Sequence, residues 1–532
     1  MICGIASVTI EDMALNGLLR LLPSWENALL AVVSAFLLIL AFPPFEYWFT
    51  AWFAFVPLLL AVEREKSVVR SFVIGWLFGI IFIYGTCWWL TFAPITYAAF
   101  PPALAYLLML VVAAIVGLFP AAFAAIMAAL LRRFGSIAIL AAPFVWVFTE
   151  FLRYWLTGNN WNAVGYGMAF KPDLLDSAAI GGVYLVGALV VAGSTIVAFV
   201  FLDRDNPRIV RGMITLGALV SAGIFFTGSF RSPLEPHTPR GSYRMVVLQP
   251  DVPMAGLTLE KWRQLRQRHV RLAESALSKL DPATGTDGQA LPITVIFPES
   301  PMNFQYEDDP ESREFINSFA AKHNVSVLFN SAEPDHSNGK YFNSAVLVSP
   351  EGKEITQYDK IFLVPFGEAV PFPLDGLVPG LVGNFSYGSE YDLFPLGDVK
   401  AGVMLCYESH FGQLSRQFVR NGADVIIEMT NDGYLGPTPV LRQHMANAVF
   451  RAVETNRPVL RATNVGITAY INARGEVLDT AEPYTEATRV WTVARSDGSQ
   501  TFYVKYGDWF AWLSSIITLV LLAFSYRQKR DR

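Results

Sequence analysis

Four polar residues in the central part of the chain stand where apolar runs end, and their types could support acyl chemistry. Cys406 follows the run AGVML, and Glu299 closes ITVIFPES. Lys360 lies in QYDKIFLVPFGE, and Glu368 comes eight residues later. Because strand ends in α/β folds commonly present their residues at a shared mouth, this placement predicts a joint site. Taken singly, a glutamate or lysine at a strand end is more typical of a solvated surface.

The cysteine content singles out one thiol. The chain of 532 residues has three cysteines, Cys3, Cys87 and Cys406, and only Cys406 lies outside the apolar stretches and the extreme N-terminus. Nothing here has the closely spaced pairs of a disulfide framework. A free cysteine is often a small buried hydrophobe, so this interpretation of Cys406 stays open until its neighbours are considered.

A thiol, a carboxylate and an ammonium together form a known kind of nucleophilic site. A thiol with an ordinary pKa near 8.5 is mostly protonated at neutral pH, so a carboxylate base and a nearby ammonium would both favour the thiolate. The ammonium could then face the oxyanion of a tetrahedral intermediate. Cys406, Glu299 and Lys360 are therefore candidates for acyl transfer through a thioester.

The composition indicates a membrane protein. Hydrophobic residues make up 53% and aromatic residues 14% of the chain, and the mean hydropathy is +0.38. The net charge of -5 and the pI near 5.8 provide no basic surface for nucleic acid, so we exclude nucleic-acid binding. Glu11 and Asp12 precede the first apolar segment, which argues against a cleavable signal peptide.

Apolar windows predict about eight transmembrane helices. They lie near 28–42, 47–62, 71–91, 103–131, 137–152, 178–202, 212–230 and 508–526. The fourth is long, and Pro120 is expected to kink it. Basic residues concentrate in alternate loops: Arg64, Lys66, Arg70, Arg132, Arg133, Arg204, Arg208, Arg211, Arg527, Lys529, Arg530 and Arg532.

This charge asymmetry predicts the topology and the domains. By the positive-inside rule both termini are cytoplasmic and the globular insert is outside. We therefore expect a membrane domain over 1–230 with about seven transmembrane helices, an extracytoplasmic domain over 231–507, and a C-terminal helix with a basic tail over 508–532.

The globular insert has the pattern of a layered α/β fold. Short runs rich in β-branched and aromatic residues predict strands: YRMVVLQP, ITVIFPES, VSVLFNSAE, YFNSAVLVSP, AGVMLCYES, ADVIIEMTND, RPVLRATNVG and TAYINARGEVL. Helices are predicted at LEKWRQLRQRHVRLAESALSKL and VLRQHMANAVFRAVETN. Helices should thus cover the sheets. DPATGTDGQ is typical of a flexible surface loop.

Three blocks resemble the nitrilase superfamily, whose domains carry a Glu-Lys-Cys triad on an αββα sandwich: FPES, YDKIFLVPFGE and MLCYES. A nitrilase-like (carbon-nitrogen hydrolase) domain between seven membrane spans and a final eighth resembles the apolipoprotein N-acyltransferases. The further blocks AFPPFEYWFTAWFAFVPLLLA, TEFLR, TNDGYLG, FRAVETNRPVLRATNVGI and GEVL support the resemblance, which covers nearly the whole chain.

The resemblance implies roles for particular residues. Glu299 is the expected general base, Lys360 stabilises the oxyanion and Cys406 is the nucleophile. Four further residues match positions that support the site: Glu368, Tyr407, Glu408 and Asn343. The family needs no cofactor and no metal.

The resemblance also implies the reaction and its partners. Cys406 accepts an acyl chain from a membrane phospholipid, and the N-terminal α-amine of an S-diacylglyceryl-cysteine apolipoprotein takes it from the thioester. The protein is then a multi-pass component of the bacterial inner membrane, with its catalytic domain on the periplasmic side.

Four alternatives remain open. A Cys-His enzyme could use His410 or His444, but a neighbouring histidine is more often structural without a positioned hydrogen bond. No clustered ligands of suitable spacing indicate a metal site. A membrane-tethered amidase or thioester hydrolase would use water as the acceptor. A scaffold or transporter would show an eroded triad and an intramembrane charge chain, whereas Glu150 and Arg153 suggest only an interfacial pair.

Overall fold

The structure is a computed structural model that describes residues 21–203, 242–281, 290–302, 304–370 and 385–527, with positions 207, 211, 212, 215 and 217. The chain divides into two compact units, one comprising 1–168, 183–225 and 508–532, and the other 169–182 and 226–507. The predicted span at 212–230 and the loop DPATGTDGQ lie almost entirely outside the described residues.

The first unit, here the membrane unit, is helical. Its helices are α1 (Trp25–Ile39), α2 (Ala51–Glu65), α3 (Val68–Cys87), α4 (Pro102–Val116), α5 (Leu118–Phe134), α6 (Ala142–Thr157), most of α7 (Ala178–Leu202) and the C-terminal helix Trp509–Arg527. Among the described residues, four helical segments are long and apolar enough to cross a membrane: Val68–Thr96, Pro102–Thr157, Ala178–Leu202 and Trp509–Tyr526.

Glycines let α3 approach its neighbours closely. A Cβ added at Gly79 would lie 2.8 Å from the Gly117 Cα, and one added at Gly75 would lie 2.4 Å from the Pro120 carbonyl oxygen. The predicted fourth span is two helices that meet at Gly117. Pro120 lies in the first turn of α5, where its missing N–H leaves no helical hydrogen bond unmade.

Aromatic packing fills the interior of the membrane unit. The Trp146 ring lies 4.5 Å from Phe55, 5.2 Å from Phe123 and 6.2 Å from Phe78, measured between centroids. Helix α4 exposes apolar side chains such as Leu107. An apolar exterior around an apolar interior is what a lipid environment favours.

Glu150 and Arg153 on α6 are both buried within the protein. Glu150 Oε1 accepts the Val164 N–H at 2.8 Å, and Arg153 Nη2 donates to the Trp161 carbonyl at 3.2 Å. The two side chains therefore hold the loop that follows α6.

The second unit, here the catalytic unit, contains two mixed sheets. The first has the order β13–β1–β2–β3–β4–β5, with β6 beside β4, and the second has the order β12–β11–β10–β9–β8–β7. The strands are β1 (Ser242–Gln249), β2 (Ile293–Phe297), β3 (Ser326–Asp335), β4 (Lys340–Val348), β5 (Glu354–Asp359), β6 (Phe385–Ser386), β7 (Leu393–Leu396), β8 (Val399–Leu405), β9 (Val425–Thr430), β10 (Val459–Thr463), β11 (Ala469–Ile471), β12 (Val477–Leu478) and β13 (Ala487–Ala494).

Helices cover the sheets in αββα order. Helices α8 (Leu259–Leu277) and α9 (Pro310–His323) share a core with the first sheet, and α10 (Gly412–Arg420) and α11 (Val440–Thr455) contact the second. Thr463 on β10 donates to Gln249 on β1 at 3.2 Å, which joins the two sheets. This layering agrees with the predicted fold.

Each sheet has three parallel central strands that are largely buried: β1, β2 and β3 in the first sheet, and β8, β9 and β10 in the second. Burial on both faces explains the continuous apolar runs of these strands. Glu299 lies two residues past β2, and Cys406 directly follows β8. The predicted strand TAYINARGEVL is instead two short strands, β11 and β12, joined by a turn at Gly475, whose φ is +83°.

Candidate active site

Cys406 sits in a strained position at the end of β8. It begins the short 3₁₀ turn Cys406–His410 and has a φ of +51°, in the left-handed region. A non-glycine residue there costs about 1–3 kcal/mol, so its surroundings must hold it in place. Such strain is concentrated at functional sites.

Lys360 begins the loop after β5, and its side chain is fully buried. Its Nζ donates to Glu368 Oε1 at 2.8 Å, and Glu368 Oε2 accepts the Val364 N–H at 2.8 Å. Burial alone would lower the pKa of Lys360, but the carboxylates of Glu368 and Glu299 outweigh this and raise it. Lys360 is therefore held as an ammonium.

Glu299 is fixed at both carboxylate oxygens. Oε1 accepts from Asn343 Nδ2 at 3.1 Å, and Oε2 accepts the Asn431 N–H at 3.1 Å. Burial raises the pKa of Glu299, while the Lys360 ammonium and a weaker interaction with the Cys406 thiol oppose the rise. A carboxylate whose pKa is raised toward neutrality is a better general base.

One amide joins the two carboxylates. Asn343 Nδ2 donates to Glu299 Oε1 at 3.1 Å and to Glu368 Oε1 at 2.7 Å. Asn343 Oδ1 accepts from Asn330 Nδ2 at 2.7 Å, and this bond fixes which way the amide faces. The side chain of Asn343 therefore sets the spacing of the two carboxylates around Lys360.

The Cys406 thiol is protonated at rest. Burial and the Glu299 carboxylate raise its pKa well above the ordinary value, and Lys360 only partly opposes them. The sequence predicted that both partners would favour the thiolate, but in a buried site a negative carboxylate beside the sulfur disfavours a second negative charge. A reaction at this sulfur would therefore require a base to take the thiol proton.

Glu408 links the cysteine turn to the lysine loop. Its carboxylate accepts the Leu405 N–H at 2.9 Å, the Ile361 N–H at 2.7 Å, the Phe362 N–H at 3.1 Å and the Tyr358 hydroxyl at 2.8 Å. Burial raises the pKa of Glu408 to about 7 against these stabilising hydrogen bonds. The side chain acts as a brace between the segments that carry Cys406 and Lys360.

Two family models and full-length relatives match the chain. The apolipoprotein N-acyltransferase N-terminal domain matches residues 34–196, and the carbon-nitrogen hydrolase domain matches residues 254–503. An apolipoprotein N-acyltransferase from Geobacter metallireducens is 31% identical over 521 residues, with 95% of this chain and 96% of the relative covered. The chain belongs to the apolipoprotein N-acyltransferase family.

A second relative of that name, from Allorhizobium ampelinum, is 33% identical and covers 86% of this chain and 88% of its own length. Among solved structures, a carbon-nitrogen hydrolase from Helicobacter pylori G27 is 18% identical, with a TM-score of 0.38, and covers 51% of this chain and 93% of its own. Family membership confirms the predicted resemblance and the fold class of apolar helices plus a nitrilase-like domain. The count of about eight spans and the extracytoplasmic side stay predictions.

Six of the seven site residues predicted for this apolipoprotein N-acyltransferase family member lie in one connected group: Glu299, Asn343, Lys360, Glu368, Cys406 and Glu408. The Tyr407 ring instead stacks on His410 at 5.8 Å and meets Phe411 edge-on at 5.1 Å. Tyr407 thus contributes to an aromatic group on the same turn.

The two histidines of the Cys-His alternative are used differently. His410 packs its ring against Tyr407 and Phe411. His444 reaches Cys406 at the main chain, with Nε2 3.0 Å from the Cys406 carbonyl oxygen. That contact supports the turn and does not make His444 the base for the thiol.

Sequence reasoning missed a second set of buried charges, which we call the Arg461 network: Glu428, Asp432, His444 and Arg461. Arg461 Nη2 donates to Asp432 Oδ2 at 2.7 Å, and its Nη1 donates to Glu428. The available signal was a glutamate and an arginine inside the apolar strands VIIEMT and VLRAT, because fully buried charges need partners.

Proposed function

We propose that the protein transfers an acyl chain from a membrane phospholipid to the N-terminal α-amine of an S-diacylglyceryl-cysteine apolipoprotein, with Cys406 as the covalent carrier. The observation that carries this proposal is the arrangement of a protonated thiol, a carboxylate of raised pKa and a buried ammonium in one connected group. The name of the relatives, apolipoprotein N-acyltransferase, supports an apolipoprotein as the acceptor.

In the first half-reaction, the Cys406 sulfur bonds to the ester carbonyl carbon of the phospholipid while its proton passes to Glu299. The oxyanion that forms faces the Lys360 ammonium. When the intermediate collapses, the carbon–oxygen bond breaks, and Glu299 returns the proton to the leaving oxygen. The products are the Cys406 thioester and a lysophospholipid.

In the second half-reaction, the α-amine of the apolipoprotein attacks the thioester carbonyl. Glu299 accepts a proton from the amine, the carbon–sulfur bond breaks, and the proton returns to the Cys406 sulfur. The transfer is then ping-pong, with the acylated enzyme as the intermediate.

The proposal places the catalytic domain, 231–507, on the periplasmic face of the inner membrane, between a membrane domain at 1–230 and a final helix at 508–532. The basic loop residues support this orientation. Reporter fusions after Arg133 and within 240–500 test it. A cytoplasmic signal from the second fusion would overturn the topology.

Mass spectrometry of Cys406 tests the chemistry. Phospholipid alone should give a persistent acyl adduct, and a diacylglyceryl-cysteine peptide with a free amine should discharge it into an amide. The N-acetylated peptide is the matched control and should leave the adduct in place. If the thioester decays in water equally fast without the peptide, the protein is a hydrolase and the acceptor assignment fails.

A further inference from the structure

His444 joins the Arg461 network to the main chain of the cysteine turn. The side chain is almost fully buried on α11, with Nδ1 2.7 Å from Asp432 Oδ1 and Nε2 3.0 Å from the Cys406 carbonyl oxygen. The Arg461 and His444 charges hold the pKa of Asp432 below its ordinary value against the effect of burial, so its carboxylate accepts. Nε2 of His444 faces two acceptor oxygens, the Cys406 carbonyl and Glu428 Oε1, and therefore donates.

The orientation of the imidazole is fixed from its far side. Asp432 accepts from His444 through Oδ1 and from Arg461 through Oδ2, the latter at 2.7 Å. Arg461 in turn donates to Glu428. Buried charges hold their geometry when each one is paired, so Nε2 is held 3.0 Å from the Cys406 carbonyl oxygen, with Glu428 Oε1 as a second, longer contact at 3.3 Å.

That carbonyl belongs to the strained residue. Cys406 has a φ of +51°, and a rigid peptide plane connects its carbonyl to the Tyr407 nitrogen. A hydrogen bond that fixes the plane therefore restricts ψ of Cys406 and helps to hold the residue in its left-handed conformation. The direction of the Cys406 side chain follows from that backbone conformation.

We propose that His444 is a positioning residue for thioester formation, because its Nε2–H holds the Cys406 carbonyl and so keeps the thiol in reach of Glu299 and Lys360. This inference rests on the proposed thioester function. It assigns His444 no role as acid or base, and it explains why a histidine lies against Cys406 without serving as its base.

Two substitutions separate the two ring contacts. Gln at 444 can place an amide N–H near the position of Nε2 and keep the donor to the Cys406 carbonyl, whereas Asn reaches only as far as Nδ1. We expect His444→Asn to slow Cys406 acylation by phospholipid about tenfold or more, since small displacements of reacting groups are costly. His444→Gln should stay within about threefold of the parent.

The measurement is the single-turnover rate of Cys406 acylation in the full-length detergent-solubilised protein, with the thermal unfolding midpoint recorded in parallel. His269→Gln is the matched control, because His269 is also buried and bonds a carbonyl, that of Leu265 at 2.8 Å, within α8. It should change the unfolding midpoint but not the acylation rate.

The outcomes are distinct. Equal acylation rates in His444→Asn and His444→Gln, whether parent-like or slow, would overturn the role of Nε2. If His444→Asn does not fold, Asp432→Asn replaces it: acylation at the parent rate in that variant would also contradict the inference. A parent protein that forms no thioester would instead refute the proposed function.

Discussion

The catalytic unit buries two charged networks that differ in their balance of charge. Around Lys360, one ammonium serves two carboxylates, Glu299 and Glu368. In the Arg461 network, the Arg461 guanidinium and the His444 imidazole together contact two carboxylates, Glu428 and Asp432. Burial acts on both, yet the pKa of Glu299 is raised and that of Asp432 is lowered.

The difference shows how the balance of charge distinguishes a network that can take up a proton from one that only holds the main chain in place. Where positive charge is short, one carboxylate keeps an affinity for protons and can take one from a thiol. Where the charges balance, no proton is exchanged and the geometry is fixed. The first network faces Cys406 Sγ, and the second holds the Cys406 carbonyl.

Removing the thiol should have the largest effect. Cys406→Ala leaves both networks in place but removes the carrier, so acyl transfer should fall below detection while membrane insertion is unchanged. Transfer of label from phospholipid to a diacylglyceryl peptide measures it. Cys87→Ser, in the membrane unit, is the matched control and should be nearly silent. Substantial transfer by Cys406→Ala would show that Cys406 is not the nucleophile.

Neutralising the proposed proton acceptor, Glu299, should have the second-largest effect on activity. Glu299→Gln keeps the shape but removes the base, so the rate of thioester formation should fall about 10²-fold or more. Glu333→Gln is a fitting control, because Glu333 is also buried and accepts the Tyr306 N–H but lies outside the site. A parent-like rate in Glu299→Gln would assign the base elsewhere.

Unbalancing the Arg461 network should cost stability. Arg461→Met removes the guanidinium that pairs with both Glu428 and Asp432 in a buried site and leaves them only His444, which should lower the free energy of unfolding by about 3–5 kcal/mol. Chemical unfolding followed by tryptophan fluorescence measures this. Arg271→Met removes an exposed pair with Glu486 and should cost about 1 kcal/mol or less. Similar costs for both would contradict the contrast between buried and exposed pairs.

The pH dependence should report the Lys360 network. Glu299 must be ionised to accept the thiol proton, and its pKa is raised above the ordinary value of 4.5. The single-turnover rate should therefore fall as the pH falls through that raised pKa, by about tenfold per unit on the acid side. A rate that stays level down to pH 4.5 would argue against Glu299 as the base.

The sequence predicted Glu299 and Cys406 because each stands at the end of a buried strand, whereas Lys360 follows the partly exposed β5 and was assigned its role from the resemblance of its block. Cys406 was also recognisable as the one cysteine outside the apolar stretches and the N-terminus. The edge strands β5 and β13 escaped prediction because polar residues interrupt their apolar pattern, and β7 escaped because it has only four residues and contains Pro395. Strand periodicity indicates which face is buried but not which buried charges meet.

The remaining differences between the predicted and the observed structure concern which residues from separate elements come into contact. Glu428, His444 and Arg461 lie on β9, α11 and β10, and only the folded unit brings them together. The close approach of Gly79 on α3 to Gly117, where α4 and α5 meet, is likewise contained in no local pattern.

The ion pair of Lys360 has a consequence for the lifetime of the enzyme. A thioester that discharges onto amines would also acylate a neutral lysine amine beside it. Glu368 and Glu299 keep Lys360 as an ammonium, which has no lone pair for attack. The side chain that we propose as the oxyanion stabiliser is thus prevented from competing with the acceptor, and intact-protein mass after many turnovers should show no acyl group on Lys360.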